Sequence, residues 1–200
     1  IDIRSADVPI DVFLDGTTCS VYLNTSGDAL FKRGYREKIH KAAINEALAA
    51  GLVKLTNWGQ PAPLFDPMCG SGTFAIEAAM MALNIPPRGN RREYAFMKWL
   101  NYDSYLWDNV KNVAEENINQ SDKLRIYASD KLSENIDMCK YSAIRAGVNN
   151  HIKFSVCNIK IFRPLTEKSG FIITNPPYGE RIGGEDKELE FIHRDIRVIE

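Results

Sequence analysis

The chain predicts an α/β fold, a mostly parallel, doubly wound sheet preceded by a β-hairpin and a helix. Three observations predict it. Apolar alternation near the start gives way to helical spacing at about residue 37, and from about residue 62 short apolar runs alternate with amphipathic segments. The last apolar run, Phe171 to Thr174, stops at Asn175-Pro176-Pro177. Strands separated by helices pair in parallel, because a right-handed crossover returns the chain to the same sheet with a helix on its face.

In order along the chain, Ile10, Val12 and Leu14 alternate with their neighbours, Asp15-Gly16 marks a turn, and Cys19, Val21 and Leu23 alternate again. This is a β-hairpin. From Glu37 to Leu55 the period becomes helical, with Ile44, Ala47, Leu48, Gly51, Leu52 and Leu55 on one face. Past "GQPAP", the pattern predicts a strand over 62–65, a helix over 73–83, a strand over 124–128, a helix over 133–146 stopped by Gly147, and strands over 152–156 and 171–174. Residues 84–122 interrupt this order with Pro86, Pro87, three arginines and the aromatics Tyr94, Phe96, Trp99, Tyr102, Tyr105 and Trp107. A helix capped by Asp103 follows, with Leu106, Val110 and Val113 expected on its inner face. Packing of these aromatics on the sheet is the favoured reading. Residues 182–200 are mostly charged and show no strand, so the C-terminal strands of the sheet are expected to lie outside this chain.

Composition bounds the function. Two hundred residues, 44% apolar, suit one globular domain with a small appendage. No run approaches the roughly 18 apolar residues a membrane helix needs, and the first residues lack the basic start and apolar core of a signal peptide. The expectation is a soluble, cytoplasmic protein. Cys19, Cys69, Cys139 and Cys157 form no CxxC pair, and His40, His151 and His193 are far apart, so free thiols and no metal site are expected. The net charge of −1 exerts no general pull on nucleic acid or membrane. Two local basic runs stand out: "FKRGYREKIHK", with Arg33 and Arg36, and "RGNRR", with Arg88, Arg91 and Arg92.

Two motifs carry chemistry. In doubly wound sheets a ligand binds beyond the carboxyl ends of the strands, where strand order reverses. The first strand of the α/β part runs into Asp66-Pro67-Met68-Cys69-Gly70-Ser71-Gly72-Thr73, a turn whose glycines let the backbone approach a ligand and whose small residues open the next helix. It is no phosphate loop, for no lysine follows, and it lacks the dinucleotide pattern. Instead Asp66 suits a cationic amine, and Asp130, at the next strand's end, suits the hydroxyls of a ribose. A ribose, an ammonium and no phosphate point to S-adenosylmethionine. The second motif, Asn175-Pro176-Pro177-Tyr178, should arise by chance in fewer than about one chain in a thousand of this length. Its prolines hold Asn175 and Tyr178 on stiff backbone at a strand's end.

Taken together, "DPMCGSGT" and "NPPYGER" resemble motifs I and IV of the S-adenosylmethionine-dependent amino-methyltransferases. With "SGDALFKRGYR", "KAAINEALAAGLV" and "RIYASDKLSENIDMCKYSAIRAGV", the resemblance from about residue 8 to 181 is to the bacterial large-subunit (23S) ribosomal RNA guanine-N2 methyltransferases and their tRNA relatives, which carry an RNA-binding THUMP domain upstream. It implies a Rossmann-like class I methyltransferase domain over 37–200, with an insertion at about 84–122. Residues 1–36 then form a hairpin and basic connector at the end of an upstream RNA-binding region. It implies further that Asp66 and the loop of Pro67, Met68, Cys69, Gly70, Ser71, Gly72 and Thr73 hold the methionine part of the cofactor, while Asp130 takes the ribose. Asn158 stands where the family has an aspartate, and would accept from the adenine amine without charge. Asn175, Pro176, Pro177 and Tyr178 are the implied catalytic tetrapeptide, with S-adenosylhomocysteine as product. Arg33, Arg36, Arg88, Arg91, Arg92 and Arg181 are then expected to make sequence-independent contacts to RNA phosphates.

The same tetrapeptide serves DNA adenine-N6, cytosine-N4 and protein glutamine-N5 methyltransferases, so the substrate is less determined than the reaction. A different class, a cofactor-binding RNA module without activity, is the other alternative; intact Asn175 and Tyr178 speak against it. Nothing in the sequence sets the oligomeric state.

Overall fold

The computed structural model describes residues 6–36, 43–87, 93–120, 124–164 and 170–176. The hairpin is present as β1 (Ile10–Asp15) and β2 (Thr18–Leu23), antiparallel with Ile10 opposite Leu23 and Val12 opposite Val21. These four side chains and Leu14 are more than half exposed.

A four-stranded parallel sheet carries the rest: β3 (Leu64–Asp66), β4 (Ile126–Asp130), β5 (Ile152–Val156) and β6 (Phe171–Ile172), in the order β5-β4-β3-β6. The chain steps outward from β3 to β5 and then returns to pair β6 on the opposite edge of β3. That reversal puts the switch point between β3 and β6. Register aligns Leu64 with Ile126 and Phe171, and Ile126 with Ile152. Because successive side chains in a strand point to opposite faces, Leu64, Ile126, Ala128 and Ile152 enter one large core, while Phe65 enters a small cluster with Ile159 and Phe162 on the other side. Phe65 stacks on Tyr127 at 4.8 Å.

The large core is built by α1 (Glu46–Leu55), α2 (Thr73–Ala82) and α4 (Ser133–Arg145), with α3 (Ser104–Glu116) in the insertion. The expected right-handed crossovers put helices on both faces. Among the described residues, the helices packed on the sheet share one face, and the other carries only the small aromatic cluster. The 3-10 turn Ile159–Ile161 supplies part of that cluster.

Two helices differ from expectation in which face they bury. Asn45 caps α1, accepting from the Leu48 N–H, so the helix begins at Glu46; the earlier part expected from residue 37 includes 37–42, which lie outside the described residues. Its buried positions are Glu46, Ala49 and Val53, whereas Leu48, Leu52 and Leu55 face outward. The small Ala49 lets α1 approach α2, and a buried arginine fixes Glu46 inward, so the aliphatic stripe is not the packed one. On α3, Asp103 caps as expected, accepting from the Leu106 N–H at 3.0 Å. Leu106, Val110 and Val113 are nonetheless exposed, by 60%, 51% and 56%. The opposite side of α3 is held instead, by Trp107 edge-on to Tyr94 and Phe96 at 5.4 and 5.1 Å. Tyr94, Phe96, Tyr102 and Trp107 pack on one another while Tyr105 is exposed, and the Phe96 N–H donates to Thr25 O beside the hairpin at 3.0 Å, so these four rings form a separate cluster instead of joining the sheet's core.

Candidate cofactor and catalytic site

Asp66, Asn175 and Pro176 are brought together because β3 and β6 are parallel neighbours and both motifs follow their carboxyl ends. Ile173 N–H still donates to Phe65 O at 3.0 Å, so the ladder continues to within two residues of Asn175. Asp130 ends β4 on the other side of β3. Three sequence-distant segments therefore converge at one end of the sheet, at its switch point.

The Asp66 side chain is fully enclosed, and its Oδ1 meets no hydrogen-bond partner among the described residues. Burial raises its pKa to about 7; the neighbouring Thr174 hydroxyl and the Met68 N–H oppose the rise, and the charge of Asp130 adds to it. Thr174 Oγ1 lies beside it but makes no bond of good hydrogen-bonding geometry. A buried carboxylate oxygen without a donor costs roughly 1–3 kcal/mol or more, and a cationic amine is the donor that would relieve it. The donor set thus fits the ammonium of the expected cofactor.

The turn from Pro67 to Thr73 is held close to β4. Cys69 N–H donates to Ser129 O at 2.9 Å, and Gly70 N–H donates to Asp130 Oδ2 at 3.0 Å. Gly70 and Gly72 are both left-handed, with φ of +52° and +82°, yet they serve different needs. A Cβ on Gly70 would meet open space, which leaves room for a ligand; a Cβ on Gly72 would overlap the Cys139 sulfur on α4. Gly72 thus carries a requirement that the sequence did not show, the close approach of α4. Ser71 and Thr73 are buried, and Thr73 opens α2. The Cys69 thiol is pushed well above its ordinary range by its hydrogen bond with Cys139 and by burial, so it stays protonated and is no nucleophile.

Asp130 is engaged by the protein's own donors. Its Oδ1 accepts from the Leu132 N–H and from Asn135 Nδ2, each at 3.0 Å, while Oδ2 takes Gly70. The carboxylate thus holds the entry to α4, through the Leu132 N–H and the Asn135 side chain, against the turn after β3. Asn158 lies just past β5, where Cys157 N–H donates to Asp130 O at 2.9 Å; its own Oδ1 accepts from Lys160 N–H at 3.0 Å. The adenine contact expected of that oxygen would have to share it.

The two connector arginines are placed differently from expectation. Arg33 is buried, with Nε 3.6 Å from Glu77 Oε1 and Nη1 donating to Leu30 O at 2.9 Å. Arg36 is bidentate on Glu46, and both side chains are almost fully enclosed. Neither guanidinium is presented to an RNA phosphate, because each serves a buried acid. Pro177, Tyr178, Arg88, Arg91, Arg92 and Arg181 lie outside the described residues. Sequence reasoning passed over Glu46, Glu77, Tyr35 and Asn135. Glu77 left a signal, a lone acid within the apolar "TFAIEAAMMA"; Asn135 left none. Among the described residues, no group of His, Cys, Asp and Glu could hold a metal ion, and no helix is long and apolar enough to cross a membrane.

Comparison with known proteins agrees with this geometry. The model of the RMKL-like methyltransferase domain matches residues 33–197. A relative from Psychromonas ingrahamii named ribosomal RNA large subunit methyltransferase K/L is 43% identical over 185 residues, which are 90% of this chain and 24% of that protein. Among solved structures, a possible methylase from Clostridium difficile 630 superposes with a TM-score of 0.88 at 43% identity, over 96% of this chain and 50% of that one. The crystal structure of a putative methyltransferase complexed with SAH gives 0.84 at 36%, over 94% and 48%. A predicted N6-adenine-specific DNA methylase from Listeria monocytogenes gives 0.86 at 34%, over 95% and 49%. The chain thus spans about a quarter of that curated relative and about half of each of these solved chains. With a family match over most of its length and a Rossmann-like sheet whose switch point gathers Asp66, Asp130 and Asn175, the chain belongs to the RMKL-like methyltransferase domain family.

Proposed function

We propose that this protein transfers a methyl group from S-adenosylmethionine to an exocyclic amine of an RNA base, guanine N2 in 23S ribosomal RNA. The observation that carries the reading is the adjacency of β3 and β6, which sets the unpartnered oxygen of buried Asp66 and the Asn175-Pro176 segment at the same end of the sheet. In this reading the cofactor supplies a methyl group on a sulfonium, already activated for transfer. Asp66 takes the ammonium, the Gly70 turn admits the methionine part, and Asp130 receives the ribose with its remaining acceptor capacity.

An exocyclic amine is a poor nucleophile because its lone pair is delocalised into the ring. The Asn175 side-chain oxygen and the Pro176 carbonyl each accept one amine N–H, which turns the lone pair toward the methyl. The amine becomes acidic as it is methylated, so orientation by fixed acceptors contributes most of the rate. Tyr178 stacks on the base, an interaction worth about 1–3 kcal/mol. A paired base cannot reach such a pocket, so the target is single-stranded or flipped out. Residues 1–36 form the end of an upstream RNA-binding region and residues 37–200 the methyltransferase domain, with Tyr35 of the connector buried in the latter's core. Arg88, Arg91, Arg92 and Arg181 remain the proposed phosphate contacts, and the ribosomal substrate places the protein in the cytoplasm.

The name of the Psychromonas relative supports ribosomal RNA, while that of the Listeria structure favours DNA adenine as the second reading. Incubation with labelled S-adenosylmethionine against ribosomal RNA, transfer RNA and genomic DNA from cells lacking the enzyme separates them. Label in large-subunit RNA that digests to N2-methylguanosine is expected. Label in DNA as N6-methyladenine would transfer the assignment to the second reading, and SAH binding with no label in any pool would leave a non-catalytic module.

A further inference from the structure

We propose that Arg36 is a positioning residue of the cofactor site, holding the turn that ends in Gly72 through the Thr73 hydroxyl. The inference rests on the methyltransferase reading of that turn. Arg36 Nε donates to Glu46 Oε1 at 2.9 Å, Nη2 lies 2.5 Å from Glu46 Oε2, and Nη1 donates to Ile44 O at 3.0 Å. A planar guanidinium hydrogen-bonded to one carboxylate oxygen and a backbone carbonyl, and ion-paired with the second oxygen, is held in one orientation. Its remaining contact, Nη1 to Thr73 Oγ1 at 3.4 Å, therefore has a direction set by the connector and by the start of α1.

Thr73 is where that direction matters. It is the first residue of α2, next to the left-handed Gly72, so displacing it displaces the whole turn and the free N–H groups of the helix start. The Arg36 and Glu46 side chains are 7% and 6% exposed, so water competes little for these bonds. One turn further along α2, Tyr35 donates to Glu77 Oε1 at 2.9 Å. That second contact docks the same connector on the body of the helix, away from the turn. The two contacts should therefore separate in experiment: the Tyr35 bond stabilises the fold, and the Arg36 bond sets cofactor affinity.

The test is SAH binding by calorimetry, together with thermal unfolding, on the whole protein and its variants Arg36→Lys, Tyr35→Phe, Thr73→Val, Thr73→Ser and Arg36→Lys/Thr73→Val. Arg36→Lys should bind SAH about tenfold more weakly at a temperature where it is fully folded. Tyr35→Phe should lower Tm and leave SAH affinity unchanged. The double variant should bind no more weakly than the weaker single variant, because both remove one contact. Unchanged affinity in Arg36→Lys, or single effects that multiply in the double variant, would overturn the inference. Should Arg36→Lys fail to fold, the Thr73 pair decides: Thr73→Ser must bind as the parent does while Thr73→Val binds more weakly, and equal affinities reject the role. A parent protein that does not bind SAH defeats the cofactor reading itself and the inference with it.

Discussion

The Gly70 N–H donates to Asp130 Oδ2 at 3.0 Å across 60 residues of sequence, joining the cofactor turn after β3 to the end of β4. One carboxylate thus shapes the turn and holds the start of α4 through Leu132 and Asn135; in the proposed reading it also takes the ribose. Removing it should loosen all three.

Asp130→Ala should therefore weaken SAH binding by roughly ten- to hundredfold, since bonds to charged groups are worth about 1.5–3 kcal/mol each. Turnover at saturating cofactor should fall much less. Isothermal titration and single-turnover methylation measure the two separately. Affinity within a few-fold of the parent would show that Asp130 is occupied only by the protein's own donors.

Asp66 predicts a pH dependence. Burial holds its pKa at about 7 against an ordinary 3.8, so the folded protein binds this proton more tightly than the unfolded chain. Its contribution to stability is best below pH 3.8, declines as pH rises toward 7 and is level above. An ammonium beside Asp66 favours the ionised form, so binding below pH 7 should release a proton, and SAH affinity should rise by up to about tenfold per unit from pH 5 to 7, then level off. Calorimetry in buffers of different ionisation enthalpy counts the proton. Asp66→Asn should bind weakly with a flat profile, and a flat profile in the parent would remove the ammonium contact.

Asn175→Ala should abolish turnover, by about a hundredfold or more, while leaving SAH affinity within a few-fold. The split follows from the role proposed for it after β6, accepting from the target amine and not from the methionine part. Stopped turnover assays with equilibrium binding decide it. Retained turnover would end the amine-positioning mechanism.

The two glycines of the turn should respond differently to alanine. Gly70→Ala meets open space and carries only the left-handed backbone penalty, about 1–2 kcal/mol, but its methyl enters the room left for the ligand. Gly72→Ala adds overlap with the Cys139 sulfur and should destabilise by a further 1–3 kcal/mol or so. Denaturant unfolding should rank Gly72→Ala as the less stable, and SAH titration of folded Gly70→Ala should show the larger loss per unit of stability. Equal unfolding midpoints would mean that α4 yields to the added methyl.

The elements were legible because their signals are local. Period-2 alternation around Asp15-Gly16 is a hairpin wherever it packs, and the Ile152–Val156 strand appears with the bounds its composition predicts. Burial is less legible. Leu48, Leu52 and Leu55 form the more aliphatic stripe of α1, yet Glu46, Ala49 and Val53 are buried, because the helix packs where a small residue admits α2 and where Arg36 fixes Glu46. Leu106, Val110 and Val113 mislead for the same reason: periodicity shows that a helix has two faces, and only its partners decide which is covered.

By itself the sequence determined the parallel α/β class and the two motifs at strand ends, and it singled out Asp66, Asp130 and Asn175, which the fold brings to one end of the sheet. These depend on near neighbours: strand runs, prolines, glycines and acids at fixed offsets. Only the tertiary structure decided that Arg33 and Arg36 turn inward, that Gly72 makes room for α4 while Gly70 borders open space, and that Asp130 holds the turn it was expected merely to border. For the glycines the physical reason is the space left by close packing, and for the charged residues it is satisfaction of the charge. A charged side chain is satisfied by whichever opposite charge or donor the fold brings to it, and Glu77, Cys139 and Gly70 reach these residues from distant segments of the chain.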